Sequence, residues 1–407
     1  MGSRQLAVSI ILVLGCSGDP EATPDGGDAV AIDAPAADAA TPLCNGTTGL
    51  RAPLPTCSPE RPCVRIAAEL PQVAITTPTE IPACDDSRWD ERLAYPIGDL
   101  TRYACVARAP GASAASRRPL VVWLHPGGEG ADNAEQETRL LDKLARFDLT
   151  ADPARPGFSL VVPQGRNLHF PTLEPRDGRH HDFYYRDLGS PSTNPDVANL
   201  DALIDRLVAE GHVDPARIFI MGWSNGAFFG QLYAIARHAT ATPGGSRVAA
   251  AAVFAAADPF GDVRYDPFAQ RPTQADDGSC QLTSYPTSSV PIQMTYRTCD
   301  GAVACGASDA ACVEPEPGYV TTTWLDRAAT TLPNLRGRVI GGVERGAQLD
   351  LPVGQCTAIP TANCTAEAKA LCVVNHLRWP DGVYENGTGV DNEPALLGFL
   401  RDHPLAP

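Results

Sequence analysis

The sequence predicts an α/β protein whose mostly parallel sheet is covered by helices on both faces. From Pro119 onward, short continuous apolar runs, typical of buried strands, alternate with segments whose apolar residues recur every three to four positions. Parallel strands need crossover helices, and a sheet covered on both faces has strands without polar alternation. At 407 residues the chain is long enough for one large or two ordinary domains and a sizeable core.

Residues 1–15 have the features of an export signal. Arg4 precedes the apolar run Leu6–Leu14, which is too short to span a membrane. The run ends in "VLGC", which resembles the lipobox of bacterial lipoproteins. We therefore expect Cys16 to be lipidated and the exported chain to be anchored to a bacterial membrane or cell surface, on the periplasmic or extracellular side. An ordinary secretory signal cut nearby is the alternative.

The chain has 13 cysteines, and lipidation of Cys16 leaves an even number that can pair completely in an oxidising compartment. We expect disulfides rather than a metal site, because no C-x-x-C pair occurs. Residues 16–43 are rich in Ala, Pro and Asp and predict a disordered linker. Residues 44–118 are cysteine-rich and predict opening antiparallel strands such as "YACVARA". We expect 44–407 to form one domain, although a separate small domain is an alternative.

Residues 119–407 predict the core of the fold. The helix in "NPDVANLDALIDRLVAEGH" is the most clearly bounded, since Asn194 can cap it, Pro195 suits its first turn and Gly211 ends it. The predicted elements are, in chain order, strand "PLVVWLHP", helix "NAEQETRLLDKLARFD", strand "FSLVVP", helix "NPDVANLDALIDRLVAEGH", strand "RIFIM", helix "AFFGQLYAIARH", strands "VAAAAVFA" and "VPIQMTY", helix "VTTTWLDRAATTL", strand "ALCVVNH" and helix "EPALLGFLRDH".

A G-x-S-x-G sequence lies between a predicted strand and a predicted helix, in "RIFIMGWSNGAFFG". By itself this pattern is weak in so glycine-rich a chain, but its context is demanding. A strand-to-helix turn this tight requires small residues at Gly222 and Gly226, and it exposes the hydroxyl of Ser224 above the sheet. We therefore interpret Ser224 as a nucleophile.

A nucleophilic serine needs a histidine base and a carboxylate that orients it, here in the chain order serine, acid, histidine. His376 ends the strand-like "ALCVVNH" and opens a loop, so it is the expected base. His403, the other late histidine, sits where a cation favours a helix C-terminus. Asp300 follows the strand "VPIQMTY" and is the expected acid. Its competitors are Asp309 and Asp326.

Two backbone N–H groups must converge on the carbonyl oxygen that becomes negative when a serine attacks a carbonyl carbon. One is expected from Asn225, directly after the serine. The other is expected from the glycine-rich loop "WLHPGGEGADN", with Gly127 as the first candidate and Gly128 as the second. His125 comes too early in the chain to be the base and is interpreted as structural.

Several blocks of the sequence together resemble one family. "PLVVWLHPGG", "FSLVVPQG", the segment from "NPDVANL" to "SNGAFFG", "VPIQMTYRTCD" and "NHLRWPDG" are similar, in order, to blocks of the poly(3-hydroxybutyrate) depolymerase and feruloyl esterase-like family. The similarity spans about Tyr95 to Leu400. It implies an α/β-hydrolase fold and ester hydrolysis without a cofactor, with Ser224, Asp300 and His376 at the triad positions. This chain departs from the family's pattern in two places. Pro126 follows His125 where the family usually has glycine, and one extra residue lies between His376 and Trp379.

Aromatic residues near these motifs suggest how an acyl or sugar group is held. The loop "HFPTLEPRDGRHHDFYYRD" concentrates aromatic rings beside His180 and His181, and packing of the loop onto the body is the equally weighted alternative. A metal ion at the two histidines is the weaker interpretation. The side chains expected to contact substrate are Trp223, Phe183, Tyr184 and Trp379.

The sequence thus predicts an anchored serine esterase that acts on a polyester oligomer or an acylated plant polysaccharide. A net charge of −16 without clustered cations argues against a nucleic-acid partner. The rival interpretations are a non-catalytic surface lipoprotein that binds polymer or glycan, and a peptidase of the same fold. Which ester is cleaved stays open at this point.

Overall fold

The part of the chain described by the computed structural model comprises residues 74–75, 79–169, 177–183, 190–256, 259, 272–274, 280–282, 286–297, 300, 325, 328–341, 376–384 and 387–406. The predicted signal segment 1–15, the lipidation site Cys16 and the linker 16–43 lie outside these residues. So do Tyr184, Asp309 and Asp326.

An eight-stranded mixed sheet forms the centre of the molecule. Its strands in chain order are β2 (Glu91–Ile97), β3 (Leu100–Ala107), β4 (Arg118–Leu124), β5 (Ser159–Pro163), β8 (Val213–Trp223), β9 (Ala250–Phe254), β12 (Ile292–Arg297) and β13 (Leu335–Ile340). Across the sheet they follow the order β13-β12-β9-β8-β4-β5-β3-β2. The shorter strands are β1 (Ala74–Ile75), β6 (Arg166–His169), β7 (Asp177–His180), β10 (Pro272–Gln274), β11 (Cys280–Leu282), β14 (Val383–Tyr384) and β15 (Gly387–Thr388).

Neighbouring strands from β13 to β5 are parallel, and the antiparallel pairs are β5–β3 and β3–β2. This agrees with the sequence pattern. The parallel strands β4, β5 and β9 are buried at every position, whereas the edge strand β2 alternates between buried and exposed residues. The predicted fold class, a mostly parallel sheet in an α/β protein, is confirmed.

Helices cover both faces of the sheet. The helices are α1 (Ala134–Glu137), α2 (Leu140–Lys143), α3 (Pro195–Ala209), α4 (Asn225–Ala239) and α5 (Glu393–Arg401). Helices α3 and α4 pack on one face, in a cluster with Leu200, Ile204 and Phe229. Helices α2 and α5 pack on the other, in a cluster with Leu140 and Leu397. Two apolar layers on one sheet account for its fully buried strands.

Helix α3 begins as its sequence predicts. The Asn194 side chain accepts hydrogen bonds from the N–H groups of Asp196 (2.8 Å) and Val197 (3.3 Å), and Pro195 occupies the first turn. The predicted helix over "NAEQETRLLDKLARFD" is instead two short pieces, α1 and α2. Thr138 interrupts it with extended backbone (φ −134°, ψ 163°), because its hydroxyl donates to the Ala134 carbonyl and accepts from the Leu140 N–H.

One predicted disulfide lies within the described residues. Cys84 and Cys105 are bonded, which ties the segment before β2 to strand β3 inside the sheet. The side chains of the other cysteines lie outside the described part of the chain. Within the described ranges, no helix is both long and apolar enough to cross a membrane.

Candidate active site

The turn between β8 and α4 holds Ser224 in a strained backbone conformation. Its φ of 51° and ψ of −119° lie outside the regions that non-glycine residues ordinarily adopt. A Cβ on Gly222 would lie 2.5 Å from the Gly226 carbonyl oxygen, and a Cβ on Gly226 would lie 2.5 Å from that of His125. Both flanking glycines are therefore required sterically, as the G-x-S-x-G pattern predicts.

Ser224, His376 and Asp300 form a continuous hydrogen-bonded chain. The Ser224 Oγ lies 2.7 Å from His376 Nε2, and His376 Nδ1 lies 3.0 and 3.2 Å from the two carboxylate oxygens of Asp300. Since a carboxylate only accepts, Nδ1 carries the proton and Nε2 is left to accept from the serine hydroxyl. Asp300 is fully buried and His376 is 5% exposed, whereas Ser224 is partly exposed. The structure therefore brings together the three residues selected from the sequence.

Strand order explains why residues so distant in sequence meet. Ser224 follows β8, the loop with Gly127 follows β4, and Asp300 comes three residues after β12. These strands run parallel, so their carboxyl ends share one edge of the sheet. Helix α4 adds the positive end of its dipole at the same place, directly after the serine.

The loop that carries His376 is held by two tryptophans. The indole N–H of Trp223 donates to the His376 carbonyl (2.9 Å). Trp379 packs edge-on against Trp123 and Phe254, and its indole N–H donates to Glu393 (2.7 Å). These contacts fix the backbone at His376 and just after it.

Glu393 is a supporting residue that sequence reasoning missed. Its side chain is fully buried at the start of α5, and it accepts from Trp379, from the Arg139 N–H (2.9 Å) and from the Lys143 ammonium (2.6 Å). Burial raises the pKa of Glu393 against the opposing effect of Lys143. The only signal in the sequence was an acidic residue in a first helical turn, where such residues are common.

The candidate oxyanion donors differ in whether their N–H group already has a hydrogen-bond acceptor. The Gly128 N–H donates to the Arg179 carbonyl (2.8 Å), so it is occupied. Among the described residues, the Gly127 and Asn225 N–H groups have no hydrogen-bond acceptor. A Cβ on Gly127 would lie 3.5 Å from the Asn225 Cβ, so the two backbones adjoin. This arrangement favours Gly127 over Gly128 as the second donor.

The neighbouring histidines His125 and His181 are buried. Burial lowers the pKa of His125 to about 3, and it lowers the pKa of His181 well below its usual value. His125 Nδ1 donates to the Pro126 carbonyl (2.7 Å), and its Nε2 accepts from the Gly165 N–H (2.9 Å). The His181 ring stacks on Phe229. Within the described ranges, no group of three His, Cys, Asp or Glu side chains is arranged to hold a metal ion.

Three of the aromatic residues expected to contact substrate lie in the core instead. Trp223, Phe183 and Trp379 are 1%, 3% and 2% exposed. Phe183 stacks on Phe228 beneath its loop, and the two tryptophans pack near each other under the His376 loop. Their role in this structure is packing, because apolar rings gain more from full burial than from a surface position. The fourth, Tyr184, lies outside the described residues.

His403 lies away from the catalytic edge. It follows α5, its Nδ1 donates to the Phe399 carbonyl (2.7 Å), and it lines an open depression of about 520 Å³ with His238 and Arg247. This depression lies where β9 and β12 begin, at the opposite end of the strands from Ser224.

The sheet order and the strained serine turn after its central strand define an α/β-hydrolase fold. No protein-family model matches the chain, and no curated protein matches it. Among solved structures, the chain is similar to a thermostable esterase at 18% identity and a TM-score of 0.36, over 62% of this chain and 55% of that one. It therefore spans little more than half of that protein.

Two further solved structures are similar to the chain. The acetyl xylan esterase from Aspergillus awamori is 12% identical with a TM-score of 0.31, over 48% of this chain and 67% of that one. Dipeptidyl peptidase 4 from Porphyromonas gingivalis is 13% identical with a TM-score of 0.32, over 62% of this chain and 32% of that one. Esterase and peptidase both occur among similar structures, so the activity must be argued from the site itself.

Proposed function

We propose that this protein is a serine hydrolase that cleaves carboxylic esters through an acyl-enzyme. The observation that carries the proposal is the hydrogen-bonded chain from Ser224 Oγ through His376 to buried Asp300, set on a strained turn at the carboxyl edge of the sheet. Such a chain activates a hydroxyl that is otherwise a weak nucleophile.

Each step of the reaction follows from this geometry. Ser224 Oγ attacks the ester carbonyl carbon while His376 Nε2 takes the hydroxyl proton. The carbonyl oxygen becomes negative between the N–H groups of Asn225 and Gly127. His376 then returns the proton to the departing alcohol oxygen, leaving an acyl group on Ser224. Water, deprotonated by His376, then attacks the acyl carbon. His376 returns that proton to Ser224 Oγ as the bond to serine breaks and the carboxylic acid leaves.

Asp300 contributes through its position rather than by accepting the proton. Its carboxylate holds Nδ1–H, which keeps the imidazole in the tautomer that accepts from serine, and it stabilises the imidazolium that forms. Complete burial removes water that would compete for this bond and strengthens the attraction.

The first test replaces Ser224 with alanine. We expect Ser224→Ala to lower kcat on a short aryl ester such as p-nitrophenyl acetate by about 10⁴-fold or more, since a triad without its nucleophile retains little of its rate enhancement. The variant should keep the circular dichroism spectrum of the parent. Retained hydrolysis by the folded variant would show that Ser224 is not the nucleophile.

A pair of histidine variants provides the matched control. His376→Ala should lose activity to a similar extent, whereas His403→Ala, at the far end of the strands, should stay within about twofold of the parent. A fluorophosphonate probe should label the parent at Ser224 and leave the Ser224→Ala variant unlabelled. An unlabelled parent would instead support a non-catalytic binding protein.

The substrate class proposed from the sequence is a polyester oligomer or an acylated plant polysaccharide. The blocks that resemble poly(3-hydroxybutyrate) depolymerases and feruloyl esterases support this narrower proposal. Hydroxybutyrate oligomers, feruloylated xylan and acetylated xylan, assayed on one preparation, should separate the subtypes. Turnover of the aryl ester alone would reject the narrower proposal and leave the broader one standing.

We also propose that Cys16 carries a lipid that anchors the exported chain to a membrane, on the strength of "VLGC" after its apolar run. Cys16→Ser should move the protein from the membrane pellet to the supernatant of fractionated bacterial cells. An unchanged distribution would show that this cysteine is not the anchor.

A further inference from the structure

A short segment, Arg179–Asp182, contacts both sides of the proposed oxyanion hole. We call these four residues the brace. On one side, the Arg179 carbonyl accepts from the Gly128 N–H (2.8 Å), and the Arg179 guanidinium donates to the Gly128 carbonyl (3.3 Å). This pair of bonds fixes the turn that presents the neighbouring Gly127 N–H. Gly128 itself has a φ of +84°, which allows that turn.

On the other side, the brace holds Asn225 by its side chain. The His181 N–H donates to Asn225 Oδ1 (2.7 Å), and Asn225 Nδ2 donates back to the His181 carbonyl (3.1 Å). Both ends of the carboxamide are thus engaged with one backbone unit, and Asn225 is only 4% exposed. These bonds hold the side chain against the brace and fix the residue whose N–H follows Ser224.

The middle of the brace fills the space beside Gly127. The position of a Cβ on Gly127 lies 2.8 Å from His180 Nδ1, so the imidazole packs directly on that glycine. The same Cβ position is 3.5 Å from the Asn225 Cβ. One short segment therefore contacts both residues that carry the proposed N–H donors, Gly127 and Asn225.

The far end of the brace is anchored in the buried interior. The Asp182 N–H donates to Asp196 Oδ2 (2.7 Å), and the Asp182 carbonyl accepts from Asn194 Nδ2 (2.8 Å). Asp196 is paired in turn with Arg102 (2.8 Å) and Arg166 (3.0 Å), all with side chains at most 4% exposed. These buried ion pairs hold the far end of the brace in place, because breaking one of them leaves a charge uncompensated.

We propose that the brace sets the separation of the Asn225 and Gly127 N–H groups, and that the Asn225 side chain is the positioning residue through which it acts. Oxyanion donors accelerate a reaction only when they are held in place before the charge develops. The inference rests on the proposed function, and it assigns a catalytic consequence to a segment that contains no residue of the triad.

Asn225→Ala tests the inference, since it keeps the backbone N–H and removes only the bonds to His181. We expect kcat for p-nitrophenyl acetate, normalised to sites titrated with fluorophosphonate, to fall by about 10- to 100-fold with KM within about threefold. An arylboronic acid forms a tetrahedral adduct on Ser224, so its inhibition constant should rise by a factor similar to the loss in kcat/KM.

Two further variants keep the test decisive. Arg179→Ala removes the guanidinium bond to Gly128 but keeps the backbone acceptor. It should lower kcat by about two- to fivefold with an unchanged unfolding midpoint, so it reports even if Asn225→Ala folds poorly. His169→Ala changes an exposed residue at the end of β6, the strand that pairs with β7 and so with the first part of the brace. It should leave both kcat and the boronic acid affinity unchanged.

Two outcomes would overturn the inference. One is Asn225→Ala and Arg179→Ala with kcat and boronic acid inhibition within about 1.5-fold of the parent. The other is a loss of kcat without a matching loss of boronic acid affinity, which would show that the segment acts elsewhere. If Ser224→Ala is inactive in the same assay, such a failure removes this inference alone. If Ser224→Ala is active, the proposed function fails with it.

Discussion

At the scale of single residues, Asp300 decides which nitrogen of His376 carries the proton. Its two oxygens lie 3.0 and 3.2 Å from Nδ1, and no water reaches the carboxylate because it is fully buried. An amide in its place offers the ring an N–H as well as an oxygen, so the ring is no longer held in one tautomer.

Asp300→Asn should therefore lower kcat on the aryl ester by about 10³- to 10⁴-fold while KM stays close to that of the parent. The reasons are that the ring is no longer held in the tautomer that accepts from serine, and that the imidazolium formed during the reaction is no longer stabilised. Steady-state kinetics measures the change, with Asp99→Asn on the exposed β2–β3 turn as the control. A loss of less than tenfold would mean that another group orients the histidine.

Gly226 is a second residue of this kind, because adding a single Cβ there should destabilise the fold. A Cβ there would overlap the backbone carbonyls of Leu124 and His125, which cannot yield as a flexible side chain does. Gly226→Ala should therefore unfold the protein or lower its unfolding free energy by more than about 3 kcal/mol. Urea denaturation measures this.

Gly398→Ala is the control for Gly226→Ala, because it makes the same substitution where a Cβ has free space. Gly398 lies inside helix α5, and nothing is within 4 Å of its Cβ position. The change should stabilise the protein by about 0.5–1 kcal/mol, the ordinary gain of alanine over glycine in a helix. Equal effects at positions 226 and 398 would contradict the steric argument.

At the scale of elements, helix α5 supports the loop of His376 through Glu393. Removing this carboxylate leaves the buried Trp379 indole N–H and the partly buried Arg139 N–H without their acceptor, while Lys143 keeps a second partner in Asp391 (2.7 Å). Buried donors without acceptors cost more than the net gain of the bonds themselves.

Glu393→Ala should lower the free energy of unfolding by about 2–4 kcal/mol, whereas Glu393→Gln, which keeps an oxygen acceptor, should cost about half as much. Urea titration followed by circular dichroism measures both. Asp402→Ala, beyond the exposed end of the same helix, removes only a surface ion pair with Arg401 and should cost less than about 1 kcal/mol. If Glu393→Ala lowers the free energy of unfolding no more than Asp402→Ala does, Glu393 does not have this role.

The elements also show what sequence patterns can and cannot predict. The strands, helix α3 and the serine turn follow from short-range rules, such as the steric demand for Gly222 and Gly226 or the cap at Asn194. The break at Thr138 does not, because the neighbouring Arg139 N–H donates to Glu393, which lies 254 residues away in sequence.

Long-range partners explain the remaining differences. The chain order of serine, acid and histidine selects Asp300 and His376 before any geometry is known, since the fold permits few other orders. By contrast, Trp223 and Trp379 sit next to catalytic motifs in sequence, yet their rings turn into the core. Nothing local distinguishes a ring that faces substrate from one that supports a loop, and the same is true of the bonds between Asn225 and His181.

At the scale of the whole molecule, several buried carboxyl groups make stability depend on pH. Burial raises the pKa of Asp381 to about 6 and that of Glu129 to about 8. A carboxyl with a raised pKa binds its proton more tightly in the folded state than in the unfolded state. Its contribution is therefore complete below pH 4 and is lost as the pH rises through the folded-state value.

Asp381→Asn tests this dependence, because an asparagine oxygen retains the bond from the Val383 N–H (2.9 Å). Between pH 4 and 7 the unfolding free energy of the parent should fall more than that of the variant, by about 1–3 kcal/mol. Urea titrations at four pH values measure the two slopes. Asp99→Asn, which alters an exposed side chain, should keep the slope of the parent. Equal slopes for the parent and Asp381→Asn would contradict the expectation.

The packed tryptophans beneath His376 have one more consequence, which is optical. The rings of Trp123 and Trp379 lie 5.8 Å apart at 84°, and Trp223 lies 6.1 Å from Trp379. Indoles this close and this fixed couple their electronic transitions, so the near-ultraviolet circular dichroism should carry a signal from the cluster itself. Because Trp223 is bonded to the His376 carbonyl, that signal reports the placement of His376 in the resting protein, before any substrate is added.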